Sequence, residues 1–101
     1  MKEIKQGTNP PVTLETDCTE EATAVIFFTF VQGGKIILEK DISDAFWGDG
    51  YVGVNLSQEE TFLFRPGLGE MQVRTRLRNG KVPRTDTLYY TVTPAKKDGV
   101  I

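Results

Sequence analysis

The chain has 101 residues, a formal net charge of −2 and no histidine. Hydrophobic residues make up 39% and charged residues 26%, a balance that argues against a disordered chain and a membrane span and gives no electrostatic pull towards nucleic acid. A length of this kind supports one domain, residues 1–101, around one core.

The first residues, Met1 to Gln6, lack the apolar stretch of a secretory signal, so the expectation is synthesis in the cytoplasm. Ile4 reads as part of a frayed initial strand. After Pro10-Pro11, Val12 and Leu14 alternate with Thr13 and Glu15 and predict a strand with one dry face. The strongest strand is Ala22 to Gln32, with Ile26, Phe28 and Phe30 on one face and Phe27, Thr29 and Val31 on the other. Its apolar run, Ala24 to Val31, is far too short to cross a bilayer. Gly33-Gly34 supplies a two-residue turn, and Lys35 to Lys40 returns as the hairpin partner.

Asp41 to Gly50 shows no alternation and reads as a connection that carries Phe46 and Trp47. Strand pattern resumes at Tyr51, with Val52, Val54 and Leu56 on one face. Ser57 followed three residues later by Glu60 is a capping box that predicts one short helical turn near residues 57–64, ending before Pro66. From Glu70 to Arg78, Met71, Val73, Thr75 and Leu77 point inward while Gln72, Arg74, Arg76 and Arg78 point outward. Asn79-Gly80 is a strong short hairpin signal, and a last strand, Asp86 to Thr93, puts Leu88, Tyr90 and Val92 on its core face. About seven short strands joined by turns fit an all-β, antiparallel sandwich of two sheets, in preference to a small barrel of similar spacing.

Chemistry-bearing residues are sparse. Without histidine there is no Ser-His or Cys-His nucleophile pair and no general base of the usual kind. Cys18 stands among Asp17, Glu20 and Glu21, an acidic setting unsuited to a reactive thiolate, and a lone cysteine makes neither an internal disulfide nor a four-ligand zinc site. Asp41, Asp44 and Asp49 share one loop, but their spacing does not match a calcium-binding loop and a solvated loop is the simpler reading. Gly33-Gly34, Gly48-Asp49-Gly50 and Gly67-Leu68-Gly69 lack the lysine and hydroxyl pattern of a phosphate cradle. The expectation is a chain without cofactor, metal or catalytic centre.

Three groups are left as candidate binding residues. Arg74, Arg76 and Arg78 line the solvent face of one strand, with Lys81 and Arg84 beyond the turn, and read either as a basic stripe for an acidic partner or as a solvated face offset by acids such as Glu39. Phe46, Trp47 and Tyr51 cluster around a Gly- and Asp-rich loop, where they could stack on a sugar or fill a pocket on a protein, or Trp47 could plug the end of the sandwich. Phe27 and Val31 lie on a face that ought to be polar, so either a loop covers them or they form an apolar docking patch.

The order of these pieces resembles the immunoglobulin-like N-terminal domain of phage baseplate upper proteins and related short prophage proteins. The matching residues are Lys5-Gln6-Gly7-Thr8, the strand from Ile26 to Gly33 ending in Gln-Gly, and Val52 to Thr61. Pro66-Gly67, Glu70 to Arg74, Asn79 to Val82 and the closing Asp98 to Ile101 follow the same pattern. The resemblance implies an immunoglobulin-like sandwich that is noncatalytic, binds other phage structural proteins at a tail or baseplate, and passes from the bacterial host cytoplasm into the virion. Baseplate upper proteins extend beyond such a domain, so the resemblance implies an attachment role for this segment and does not carry over their receptor-facing or trimer-forming parts. A carbohydrate-binding or adhesion module using Phe46, Trp47 and Tyr51 is the alternative expectation.

Overall fold

Apolar residues at every second position need two facing sheets to be buried, and two sheets form. A computed structural model describes residues 2–83, 85–96 and 99–101. Among these residues, eight strands run in chain order: β1 (Lys2–Lys5), β2 (Pro11–Glu15), β3 (Thr23–Gln32), β4 (Lys35–Lys40), β5 (Ala45–Gly48), β6 (Tyr51–Asn55), β7 (Gly67–Leu77) and β8 (Thr85–Thr93). One sheet has the order β1-β8-β7-β3-β4 and the other β2-β6-β5. The molecule is an immunoglobulin-like β-sandwich.

The core is where the alternation predicts it. Val12 and Leu14 of β2, Ile26, Phe28 and Phe30 of β3, Val52 and Val54 of β6, Met71 and Val73 of β7, and Tyr90 and Val92 of β8 are all buried in one cluster. The β3–β4 hairpin closes as the glycine pair requires, with Gln32 opposite Lys35 and both Gly33 and Gly34 at positive φ (57° and 76°), the signature of a type I′ turn. A register shift between Phe30 and Val31 leaves Ile37 as the extra residue of a bulge in β4.

Four features depart from the sequence reading. Ile4 is fully part of the core, because β1 pairs in parallel with β8, Lys2 to Lys5 lying against Tyr90 to Thr93; the sandwich is therefore antiparallel in all its pairings but this one. The segment after Asp41 is more than a connection: a 3-10 turn, Ile42–Asp44, leads into strand β5, which pairs with β6 through the two-residue Asp49-Gly50 turn. A four-residue strand of sequence AFWG is too short to display alternation. Asn79-Gly80 does turn the chain, with Gly80 at φ 88°. It does not make a tight β7–β8 hairpin, because pairing of those strands ends at Arg74 and Thr85 while β7 continues beside β3 to Leu77. Lastly, β7 begins at Gly67, three residues before the predicted start.

The predicted capping box forms. Ser57 accepts from the Glu60 amide at 3.1 Å, and the Glu60 carboxylate accepts from the Ser57 amide at 2.8 Å, starting helix α1 (Gln58–Thr61). The same carboxylate meets the Lys40 ammonium at 2.9 Å, tying α1 to β4. Beyond α1 the chain is held over one end of the core by two amides. Gln32, itself buried, accepts from the Arg65 amide at 2.9 Å and donates to the Arg65 carbonyl at 2.8 Å, and Gln6 donates to the Phe64 carbonyl at 2.8 Å. These bonds seat Phe64 edge-on against Phe30 and Tyr90, with ring centroids 5.7 and 5.6 Å apart.

Among the described residues, three glycines lie directly under aromatic rings. Tyr90 lies over Gly69 inside the core, and on the outer face of the smaller sheet Phe46 lies over Gly53 and Tyr51 over Gly48, each ring being close enough that a Cβ on the glycine would collide with it. Gly53 is the most constrained, since its Cβ would also stand 2.6 Å from the Val12 carbonyl oxygen in the paired backbone of β2. Gly53→Ala is therefore expected to lower stability by about 1–3 kcal/mol, whereas Thr13→Ala beside it should stay within about 0.5 kcal/mol; urea unfolding of the two variants checks this.

Burial works against the charged form of Glu60, but the Ser57 amide and the Lys40 ammonium outweigh it and hold the carboxyl below the ordinary glutamate value of 4.5. A lowered native pKa adds stability above the unfolded pKa and loses it as pH falls through the native one. Glu60→Gln is thus expected to be less stable than the parent at pH 7, with the gap in melting temperature closing once pH drops below that of an ordinary glutamate.

Candidate interaction surface

The outer face of the larger sheet follows from register. Residues of β3, β7 and β8 whose neighbours are in the core must themselves face outward, which sets Val31, Glu70 and Tyr89 in one row across the strands, Thr29, Gln72 and Thr87 in the next, and Phe27, Arg74 and Thr85 in the third. Ile36 extends the first row on β4, and Leu68 lies one row beyond it on β7.

Several large apolar side chains stand exposed among the polar residues of this face. Phe27 is 40% exposed, Tyr89 60%, Ile36 65% and Leu68 70%, and Val82 of the β7–β8 connection lines the same hollow as Phe27, whose ring is left partly open. Val31 is only half-buried on this face, and its carbonyl accepts from the Tyr90 phenol at 3.1 Å. Tyr90 reaches it by crossing over Gly69; desolvation, with the Glu70 charge second, pushes its phenol well above the usual tyrosine range, so it remains a neutral donor.

The three arginines do not act alike. Arg74 and Arg76 are exposed and, with Val25, Phe27 and Val82, line a shallow hollow of ≈ 420 Å³. Among the described residues neither guanidinium has an ion-pair partner. Glu39, considered as their offset, lies across β3 on β4 and accepts from the Thr29 hydroxyl at 2.9 Å. Arg78 is turned aside, its Nε donating to the Glu21 carbonyl at 2.7 Å. Lys81 is exposed, and Arg84, counted with it in the basic stripe, falls outside the described residues.

The aromatic cluster is split by β5. Alternation sends Trp47, with Ala45, against the core, while Phe46 and Tyr51 point out from the smaller sheet and meet edge to face at 6.4 Å. Trp47 is thus a packing residue, which could not be told from sequence while its segment read as a loop. Ile36, Leu68 and Tyr89 were missed as surface residues: Tyr89 sits between two core positions, Leu68 between glycines and Ile36 beside the bulge. Their only signal was position in the alternation.

The acidic loop is used locally. Asp41 accepts from both the backbone and the hydroxyl of Ser43, at 2.9 and 2.6 Å, and these bonds, the hydroxyl's first, lower its carboxyl pKa. Asp44 accepts from the Asp41 amide at 3.2 Å. Among the described residues no three Asp, Glu, Cys or His side chains gather as a metal site. Cys18 is half-exposed, with its amide donating to the Thr16 hydroxyl. Among those residues, too, no helix is long and apolar enough to cross a membrane.

No family model matches the chain, and no curated protein matches it. Solved structures do share its fold. CopC from Methylosinus trichosporium OB3b is similar with a TM-score of 0.58 and 12% identity, over 97% of this chain and 88% of that one. A protein assigned as a glycoside hydrolase from Bacteroides vulgatus ATCC 8482 is similar with a TM-score of 0.53 and 15% identity, over 96% of this chain and 17% of that one. At these identities the likeness is one of fold alone.

The inward and outward assignments are open to a direct check. Trp47→Ala is expected to cost about 2–4 kcal/mol and Phe27→Ala less than that, because Phe27 is already 40% exposed to solvent, measured as shifts in the urea unfolding midpoint.

Proposed function

We propose that this chain is a noncatalytic interaction module of a phage or prophage particle, associated with the tail or baseplate, which seats another structural protein on the outer face of its larger sheet. The observation that carries this reading is the set of exposed apolar side chains, Phe27, Ile36, Leu68 and Tyr89, on one sheet face beside Arg74 and Arg76, which have no ion-pair partner among the described residues. Large side chains ringed by charge are the composition of a protein-binding surface. The sequence resemblance to baseplate immunoglobulin-like domains supplies the biological setting, with synthesis in the bacterial host and incorporation into the virion. Carboxylates engaged in helix and turn caps, and a chain without histidine, support a role without chemistry.

A sugar-binding role has one observation in its favour, the outward pair of Phe46 and Tyr51, although the inward turn of Trp47 removes the best stacking ring from that platform. The two readings separate in one set of measurements. Tagged chain in a phage lysate is expected to retain tail or baseplate proteins, identified by mass spectrometry, and Phe27→Asp to lose them. A chain that never associates with tail particles overturns the reading, and a glycan-array signal abolished by Tyr51→Ala puts the sugar platform in its place.

A further inference from the structure

The charges on the outer face of the larger sheet form an ordered pattern along β7. Glu70, Gln72, Arg74 and Arg76 project outward in succession, so the strand carries an acid at one end, a neutral amide next to it and two cations beyond. Among the described residues neither Glu70 nor the two arginines has an ion-pair partner. The apolar side chains are likewise divided between the ends: Phe27 lies in the row of Arg74, while Val31 and Tyr89 lie in the row of Glu70, with Ile36 beside Val31.

One orientation of such a face on its own copy brings Glu70 and Arg74 together. Two identical sheets packed face to face are related by a two-fold axis lying between them, either along the strands or across them. An axis along the strands keeps each row at its own level and sets Arg74 and Arg76 against their copies. An axis across the strands, level with Thr29 and Gln72, reverses the direction of β7 over β7. Glu70 of each chain then faces Arg74 of the other, Phe27 faces Val31, and Gln72 meets its own copy on the axis. Thr29, Thr87 and Glu39 share that row and meet their own copies too, Glu39 at the rim on edge strand β4, where its carboxylate accepts from the Thr29 hydroxyl.

We infer that a second copy of this chain occupies the outer face of the larger sheet, antiparallel, with two symmetric Glu70–Arg74 pairs across the interface. This rests on the proposed interaction surface and names its partner. The overlapping part of the face is small: three to four strands at about 4.8 Å spacing and about eight residues at about 3.3 Å rise give a footprint of roughly 400–500 Å². Side-chain relief raises the accessible area above the footprint, towards the roughly 800 Å² per partner of an ordinary stable interface. The charge pairs fix the orientation, and Phe27, Val31, Tyr89 and Ile36 supply apolar contact on either side of a polar middle row.

Sedimentation equilibrium of the full chain tests this, because reversing either charge places like charges face to face. The parent is expected at twice its 11.3 kDa mass, while Arg74→Glu and Glu70→Arg each dimerise at least tenfold more weakly. Mixing the two variants restores opposite charges at both contacts, so the mixture is expected to regain parental association, which a folding defect in either variant would not allow. A parent at 11.3 kDa up to several hundred micromolar overturns the inference, and so does a mixture no tighter than its separate components. A parent that stays monomeric yet retains tail proteins in the lysate experiment refutes the dimer alone and leaves the interaction surface standing.

Discussion

A buried amide, Gln32, holds the end of this sandwich closed. Its carboxamide is shielded from water and both of its polar atoms are bonded to the backbone of Arg65. An amide placed there without partners would cost about 1–3 kcal/mol, so the side chain admits one path for the residues following α1. That path delivers Phe64 to the space between Phe30 and Tyr90. With one cysteine in the chain and no disulfide to restrain it, the sheets are held by this dry contact and by the interleaved aliphatic residues beneath it.

Glycine under an aromatic ring is the second organising device. The Tyr90 ring can lie flat across β7 only because Gly69 has no side chain, and its hydroxyl thereby reaches the Val31 carbonyl on the next strand but one. Inside the sandwich the device ties three strands together; outside, at Phe46 and Tyr51, it folds rings down onto the smaller sheet. The two outer faces consequently differ. The smaller sheet presents rings already partnered by glycine, and the larger one presents side chains standing free.

How much of this was legible depended on the length of each alternating run. The faces of β2, β3, β6, β7 and β8 were readable because four or more residues show the two-residue period, and Val12, Ile26, Phe28, Val54, Val73 and Val92 are all in the core. Strands β1 and β5 have four residues each, and in β5 both central residues are aromatic, so periodicity could not separate strand from loop. The parallel pairing of β1 with β8 joins segments far apart in the chain and leaves no local trace. The capping box was visible because it is a contact between neighbours; the bonds of Gln32 and Gln6 to the segment after α1 join residues 33 and 58 positions apart and were not. For the candidate surface, Phe27, Arg74 and Arg76 were identifiable as outward residues, but the row that Phe27 and Arg74 share with Thr85, and the opposite row ending in Tyr89, needed the register of three strands at once.

The parallel alignment of β1 with β8 also determines how the domain bears load. Tension entering through the chain before β1 and leaving after β8 pulls these neighbours past each other along their length, so that the rungs from Lys2–Tyr90 to Lys5–Thr93 are strained together. An antiparallel pair gripped at one end would instead part like a zip, rung by rung. Four short rungs, backed by Ile4 and Val92 in the core, would then have to part together, not one after another.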